Sequence, residues 1–257
     1  EPQMLTAAQI KDFKEQGFIT LPSLLSPDEV ATLKKETDRV FTLNRPEVIR
    51  TEDGHPRVAM AMHWYSDVFA RLLHHPKVHE VFRDLIDEPY YCHQYKIVTK
   101  HPFGQLALPW HQDYGTWIDV DGMPEPRALT LGIFLEDVTE FNGALAFIPK
   151  SHHSTAVDVR DDVYANKTVK SVNLGPNSLT PLMAQNGIVA PKGPAGTAII
   201  FDSRTAHGSG PNLSSDWRHI VYISPNPVSN KLRDPKRDEM FALRDYAPLQ
   251  PQEGMTL

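Results

Sequence analysis

Apolar side chains recur at helical spacing in the first part of the chain. A first helix is expected from Thr6, a candidate N-cap, to Gly17, a candidate C-cap. Residues Ser26–Glu29 form a capping box with proline at the first helical position, and the apolar pattern after them predicts a helix to about Leu43. A third helix is predicted from His75 to Ile86. Residues 1–88 are therefore expected to be mostly helical.

From residue 89 the pattern changes to short runs of branched and aromatic residues separated by Pro, Gly and Asn. This pattern is typical of an antiparallel sandwich or barrel. We predict a mainly β fold with flanking helices, in which residues 89–230 form a jelly-roll core of the cupin-like kind. The predicted strands are Tyr90–Thr99, Leu106–His111, Ala128–Leu135, Ala144–Ile148, Thr197–Phe201 and His219–Ser224.

Residues 155–195 are polar, carry several prolines and include the turn dipeptide Asn186-Gly187. A stretch of this length inside a compact domain is usually a lid or a binding loop. We expect a lid or loop excursion here rather than a second domain, so that residues 1–257 form one domain.

Composition excludes several classes of protein. The 257 residues include 26 Lys+Arg and 32 Asp+Glu, a formal net charge of −6, which argues against a nucleic-acid or anionic-membrane partner. The single cysteine, Cys92, excludes a disulfide framework, a thiolate zinc site and an iron–sulfur cluster. The chain starts without Met and shows no apolar leader with a basic flank, so we expect a soluble cytoplasmic protein. The oligomeric state cannot be inferred from these features.

Two histidines and one aspartate form a candidate metal site. If His111 and Asp113 lie on one strand, they point to the same face and can bind one ion together. His207 follows the apolar run Thr197–Phe201 and precedes Gly-Ser-Gly, so its side chain can face a cavity. Two histidines and a carboxylate with open positions suit a non-haem iron(II) oxygenase, and they also suit catalytic zinc.

Arg218 lies eleven residues after His207 and inside the next predicted strand. An arginine in the interior of a β-sandwich needs a partner, and the carboxylate of a ligand can bind it in a bidentate way. Arg218 is therefore a candidate ligand-binding residue.

The residues around the candidate metal site carry a family resemblance. The segments Trp110–Trp117 and Asp121–Pro124 resemble the phytanoyl-CoA dioxygenase (PhyH) family of iron(II)- and 2-oxoglutarate-dependent oxygenases, and within it the ectoine hydroxylase-like subgroup. The resemblance continues along most of the chain, in Arg127–Thr130, Asn142–Leu145, Pro149–His152, Pro225–Asn230 and Arg244–Leu249.

The resemblance implies a double-stranded β-helix in which His111, Asp113 and His207 hold iron(II). It also implies 2-oxoglutarate and O₂ as co-substrates, with succinate and CO₂ as co-products, and hydroxylation of a small polar metabolite such as ectoine, an amino acid or a cyclic amino acid derivative. The implied 2-oxoglutarate contacts are Arg218, Ser209, Thr130 and Gln94. The implied substrate contacts are Trp117, Lys96 and Gln94.

Three positions depart from the ectoine-type pattern, which leaves the substrate open. Lys96 stands where an Arg is usual, Gly115 where an acidic residue is usual, and Lys150 where a Gly is usual. A natural-product intermediate is an alternative substrate for the same chemistry. A zinc-dependent hydrolase and a non-catalytic jelly-roll binding module are alternatives of other classes.

Overall fold

The computed structural model describes residues 4–153, 159–163 and 170–257, with side chains left out of account in 159–163 and 170–172. The helices are α1 (Ala7–Gln16), α2 (Pro27–Thr42), α3 (Asp67–Leu73), α4 (Pro76–Leu85), α5 (Asp113–Asp119) and α6 (Pro176–Asn186). The strands are β1 (Phe18–Leu21), β2 (Val48–Arg50), β3 (Pro56–Met60), β4 (Tyr90–Lys100), β5 (Leu108–His111), β6 (Leu129–Phe134), β7 (Leu145–Phe147), β8 (Val159–Val163), β9 (Lys170–Leu174), β10 (Ala198–Asp202), β11 (His207–Ser209) and β12 (Arg218–Pro227).

The strands form two antiparallel sheets, as the turn-rich pattern predicts. The larger sheet has seven strands in the order β1-β10-β6-β12-β4-β3-β2, and the smaller has five in the order β7-β11-β5-β9-β8. Chain neighbours are rarely sheet neighbours in this order, which is the crossed connectivity of a jelly roll. The six strands predicted from the sequence are all present, with shifts of a few residues at their ends.

Helices cover one face of the larger sheet. The capping box predicted at Ser26 is formed before α2, and Thr6, predicted as an N-cap, forms a capping box of its own before α1. Leu33 of α2 and Phe82 of α4 are fully buried in one apolar cluster with strand residues such as Ile97. Burial of this face, more than helix propensity, stabilises the helices. No helix in the described ranges is long and apolar enough to cross a membrane.

A second apolar cluster lies between the two sheets. Phe147 of the smaller sheet packs with Phe134, Phe201 and Ile220 of the larger. Side chains alternate along each strand, so every second residue of β6, β10 and β12 faces this interior. Beside this cluster the interior opens into the cavity described below.

The boundary at residue 88 does not separate two structural units. The first 88 residues do supply α1 to α4, yet they also supply β1, β2 and β3 of the larger sheet. Phe18 of β1 pairs with Phe201 of β10, far along the chain. These strands have three to five residues, too few to give a clear alternation in the sequence.

The predicted lid or loop excursion over residues 155–195 contains regular elements in the part that is described. Strand β9 extends the smaller sheet by pairing Asn173 with His111, and β8 pairs with β9. Helix α6 follows and packs Leu179, Leu182 and Met183 against a small buried cluster. Residues 154–158 and 164–169 lie outside the described residues, and the role of a lid stays a prediction.

Candidate active site

The three predicted metal ligands meet between the sheets. His111 ends β5 and His207 begins β11, and these two residues are directly paired across the antiparallel strands. Asp113 is not on the strand with His111, contrary to the same-face argument, because the strand ends and Asp113 is the first residue of α5. The turn from strand to helix, rather than strand alternation, brings the carboxylate back to His111.

The spacing of the ligand atoms fits one ion. Asp113 Oδ1 lies 3.4 Å from His111 Nε2 and 3.8 Å from His207 Nε2. Two atoms that bind one ion at roughly 2.0–2.2 Å are about 3 Å apart when they meet at right angles, so small shifts complete the site. The three residues form a recognised His/His/Asp cluster.

Backbone carbonyls fix the orientation of both imidazoles, so that each Nε2 faces the position that a shared metal ion would take. His111 Nδ1 lies 2.8 Å from the Pro109 carbonyl oxygen, and His207 Nδ1 lies 2.9 Å from that of Thr205. A carbonyl accepts only, so each Nδ1 carries the proton and each Nε2 presents a lone pair. Burial, followed by the nearby His111, lowers the pKa of His207 to about 4, which keeps it in the neutral ligand form.

The carboxylate ligand is held from behind by a hydroxyl pair. Thr130 Oγ1 donates to Asp113 Oδ2 at 3.2 Å and lies 3.1 Å from Ser224 Oγ. Thr130 has one hydroxyl hydrogen, so Ser224 donates to it. Burial by itself raises the pKa of Asp113, but His207 and His111 bring it below its usual range, so the carboxylate is ionised. The structure thus places Thr130 against the metal ligand, while its predicted contact with 2-oxoglutarate stays a prediction.

Arg218 is buried at one end of the cavity and retains unused donors. The residue is 1% exposed, and its Nη2 donates to the Gly143 carbonyl oxygen at 2.6 Å. Its Nε and Nη1 have no hydrogen bond of normal geometry among the described residues, and the Tyr222 side chain lies next to the guanidinium. Unpaired buried donors on a cation are costly, so a ligand carboxylate is the partner this site lacks. Ser209 lines the same cavity, and its contact with 2-oxoglutarate stays a prediction.

Lys100 is a cavity residue that sequence reasoning missed. It pairs with Arg218 across β4 and β12, and its Nζ donates to the carbonyl oxygens of Leu106 at 2.6 Å and Gly210 at 2.7 Å. Burial, followed by Arg218 and Arg57, lowers the pKa of Lys100 to about 7. Lys96 and Lys100 are spaced to face one side of β4, and that spacing is a signal that could have identified Lys100.

The other predicted ligand-binding residues line the same cavity from β4 and α5. Lys96 Nζ donates to Gln94 Oε1 at 2.7 Å, and Gln94 Nε2 donates to the Phe241 carbonyl oxygen at 2.9 Å. Burial lowers the pKa of Lys96, and the nearby Asp113 opposes that effect. Trp117 of α5 is 2% exposed and lines the cavity with Lys96 and Gln94.

Arg237 also lines the cavity and was not predicted. Its Nε and Nη2 bind both oxygens of Asp121, at 2.7 and 2.5 Å, and the Asp121 side chain is fully buried. His93 Nε2 lies 3.3 Å from Asp121 Oδ2. The His93 and Trp117 rings are in edge-to-face contact, with their centroids 4.8 Å apart. Arg237 lies in a charged stretch after the last strand, where no local pattern singles it out. Its place depends on an aspartate 116 residues away.

The cavity is small and strongly cationic. Its volume is about 170 Å³, below the roughly 300–1,000 Å³ of pockets for drug-sized ligands. Among the described residues that line it, Asp113 is the one carboxylate. The five cationic lining side chains are Arg57, Lys96, Lys100, Arg218 and Arg237.

Comparison with known proteins decides the family. The family model for phytanoyl-CoA dioxygenase (PhyH) matches residues 13–220. The chain belongs to the phytanoyl-CoA dioxygenase family. It is 33% identical to an ectoine dioxygenase of Bordetella bronchiseptica, over 98% of this chain and 87% of that protein. It is 32% identical to an L-proline trans-4-hydroxylase of Streptomyces griseoviridis, over 98% of this chain and 99% of that enzyme.

A solved structure agrees with the family assignment. The crystal structure of EctD from S. alaskensis with 2-oxoglutarate and 5-hydroxyectoine superposes with a TM-score of 0.85 at 31% identity, and the match covers 96% of this chain and 87% of EctD. EctD has also been solved with bound Fe. These relationships confirm the predictions of a jelly-roll fold and of an iron(II)- and 2-oxoglutarate-dependent dioxygenase of this family. The alternatives of a zinc hydrolase and a non-catalytic module find no support among these relatives.

Proposed function

We propose that this dioxygenase hydroxylates a compact metabolite that carries a carboxylate: a free amino acid, a cyclic amino acid, or a cyclic amino acid derivative such as ectoine. The observation that carries the proposal is the excess of cations in a cavity of about 170 Å³. One of its two cationic ends is needed for 2-oxoglutarate. The other end calls for a second anionic group, which the substrate supplies.

His111, Asp113 and His207 are the residues that would hold iron(II), and two imidazole nitrogens with one carboxylate oxygen fit that ion. Bound iron with 2-oxoglutarate and O₂ supplies the oxidising chemistry that converts a C–H bond to C–OH, with succinate and CO₂ as co-products. The chain contributes orientation and the exclusion of water. Thr130 fixes one oxygen of Asp113 and thereby directs the other toward the ion.

The end of the cavity formed by Arg218 and Lys100 suits the distal carboxylate of 2-oxoglutarate. Arg218 offers Nε and Nη1, which have no hydrogen bond of normal geometry among the described residues. Lys100 has three donors as an ammonium and uses two on backbone carbonyls, which leaves one for the ligand. Ser209 adds a hydroxyl to the same wall. Two cations and a hydroxyl match the charge and the lone pairs of one carboxylate.

The part of the cavity lined by Lys96 and Arg237 suits the carboxylate of the substrate. Lys96 lies four residues before Lys100 on the same strand, which places the two about 13 Å apart along β4. Arg237 is held rigidly by its bidentate pair with Asp121. Trp117 supplies a flat apolar wall for the carbon skeleton. A molecule anchored here by its carboxylate presents nearby carbons to the metal triad.

The relatives support a substrate of this size and charge. Ectoine and L-proline, after which these two relatives are named, are both small cyclic compounds with one carboxylate. The small cavity favours such compounds over a large natural-product intermediate. Lys96 in place of an arginine removes a guanidinium fork from this end, so the substrate need not be ectoine itself.

A succinate-release assay tests the proposal. The protein, Fe(II) and 2-oxoglutarate are incubated with ectoine, L-proline, other free amino acids and their cyclic derivatives, and each active compound is compared with its amide, for example L-proline with L-prolinamide. We expect at least one compact carboxylate to stimulate succinate release well above the substrate-free rate, and its amide to fail. Stimulation by none of the carboxylates, or equal stimulation by the amides, would overturn the proposal.

Two further expectations remain proposals of the same kind. We propose a cytoplasmic enzyme without nucleic-acid or membrane partners, in keeping with the net charge of −6. Cell fractionation with an antibody to the chain tests the location, and recovery of the protein in a membrane or extracellular fraction would contradict it.

A further inference from the structure

A second group of metal-ligating side chains lies on the surface, apart from the iron site. Asp53 and His55 belong to the turn that joins β2 to β3, and His101 directly follows the last residue of β4. Asp53 and His55 are exposed and His101 is partly exposed. Candidate ligand atoms of the three residues lie within 4.8 Å of one another. We propose that these residues bind a zinc-class divalent cation, which joins the β2–β3 turn to the end of β4.

The spacing of the ligand residues is close to that in the metal triad of the same protein, but the orientation of the rings differs, with an interplanar angle of 19° for His55 and His101 and of 52° for His111 and His207. The rings of His55 and His101 stack with centroids 4.1 Å apart, and the rings of His111 and His207 have centroids 4.2 Å apart. Asp53 Oδ2 lies 3.7 Å from His55 Nε2. The corresponding distance between Asp113 and His207 is 3.8 Å. Because the two rings are stacked, one imidazole must turn out of the stack before both lone pairs can meet at one ion, and the exposure of His55 leaves room for that rotation.

The ring of His101 is oriented as a metal ligand is. His101 Nδ1 lies 3.0 Å from the Pro102 carbonyl oxygen, so it carries the proton and leaves the lone pair on Nε2. A Cβ on Gly104 would lie 3.0 Å from that Nε2 atom, so the absence of a side chain at this position keeps space next to the ligand atom.

Asp53 is also held for ligation. The Thr51 hydroxyl donates to Asp53 Oδ1, which leaves Oδ2 toward His55. A ligand whose second oxygen is fixed by a neighbour loses less freedom when it binds an ion.

The donor set selects the class of ion. Two imidazole nitrogens and one carboxylate oxygen suit Zn²⁺ and neighbouring transition ions, whereas Mg²⁺ and Ca²⁺ prefer oxygen ligands only. Solvent reaches the site, so water can complete a four-coordinate ion. The surface site is close in sequence to residues of the cavity. Lys100, which precedes His101, and Arg57, two residues after His55, both line the cavity.

Metal analysis after equilibrium dialysis of untagged protein against Zn²⁺ tests the inference. Zinc also fits the iron site, so we expect two ions per wild-type chain. The variants His55→Ala and His101→Ala should each bind one, and so should an iron-site variant that combines Asp113→Ala with His207→Ala. A variant that combines His101→Ala with both iron-site changes should bind none.

His153→Ala is the matched control, since His153 is exposed and belongs to neither cluster. It should retain two ions. One ion per wild-type chain, two ions in His101→Ala, or the loss of an ion in His153→Ala would overturn the proposal. Failure of the surface site would lower the wild-type count without affecting succinate release, so it is distinct from failure of the hydroxylase assignment.

Discussion

Lys100 makes the binding of 2-oxoglutarate depend on pH. Its ammonium is buried between two backbone carbonyls and beside Arg218, and burial together with Arg218 and Arg57 lowers its pKa to about 7. In the protein without co-substrate, Lys100 is therefore charged in about half of the molecules at pH 7. A 2-oxoglutarate carboxylate beside Lys100 favours the charged form and raises the pKa in the complex.

The size and sign of the effect follow from this shift. Between pH 7 and pH 9 the protonated fraction of a group with a pKa of 7 falls from about one half to about one in a hundred. If only the charged form binds, the affinity for 2-oxoglutarate falls about 50-fold over this range, or about 2.3 kcal/mol. Proton uptake on binding should be about half a proton at pH 7 and approach one proton above pH 8. Both carboxylates of 2-oxoglutarate are ionised throughout, so the ligand does not contribute.

Stability without co-substrate should change in the opposite direction. The folded pKa of Lys100, about 7, is below the unfolded value of about 10.4. The cost of burying the charged amine is fully present below pH 7. It is relieved as pH rises from 7 toward 10, so this group adds to the free energy of unfolding over the range in which it weakens binding.

Isothermal titration calorimetry of 2-oxoglutarate into Fe(II)-loaded protein without oxygen measures both quantities, with buffers of different ionisation enthalpy to count protons. Lys100→Met is the control, because it keeps the length of the side chain and removes the titrating amine. We expect its affinity to be lower than that of the wild type at pH 7 and nearly constant to pH 9. A wild-type affinity that changes less than twofold, or a slope that survives in Lys100→Met, would refute the reasoning.

Three further predictions concern 2-oxoglutarate binding, iron binding and the backbone. Arg218→Lys keeps the charge but removes the guanidinium fork, so the KM for 2-oxoglutarate should rise about tenfold to a hundredfold with little change in the KM for the substrate. Thr130→Val removes the hydroxyl that holds Asp113 and should lower iron affinity about tenfold to a hundredfold in an equilibrium metal titration; Thr130→Ser should restore it, and equal loss in both would contradict the role of the hydroxyl. Gly122→Ala should lower the Tm strongly, since φ is +68° and the new Cβ would overlap a backbone carbonyl of the C-terminal segment, whereas Gly54→Ala, with φ of +86° and open space, should cost only about 1 kcal/mol of strain. Similar Tm values for the two glycine variants would contradict the overlap.

Local signals in the sequence predicted much of the fold. The capping boxes at Thr6 and Ser26 are formed by residues three apart, so they are visible in a short window. The long apolar strands were found for the same reason. The short strand β1 and the helix α6 were not, because β1 depends on pairing with β10 and α6 depends on the cluster beneath it.

The candidate active site was also predictable only in part. His111, Asp113, His207 and Arg218 were found because their types and spacings form a pattern that few chemistries need. The strand assumed for Asp113 was wrong, and only the turn into α5 explains its approach to His111. The residue types were readable from the sequence, but the path of the backbone between them was not.

The sequence by itself determined the elements with local signals and the family, and it predicted which residues would hold the metal. The tertiary structure alone decided that Lys100 joins Arg218 at one end of the cavity and that Arg237 is held by Asp121 at the other. Lys100 meets Gly210 across 110 residues, and Arg237 meets Asp121 across 116. A cap or a turn is stabilised by neighbours in the chain and leaves a mark there. A contact that closes a loop of a hundred residues depends on how whole sheets and segments pack, so neither partner carries a local signal of the other.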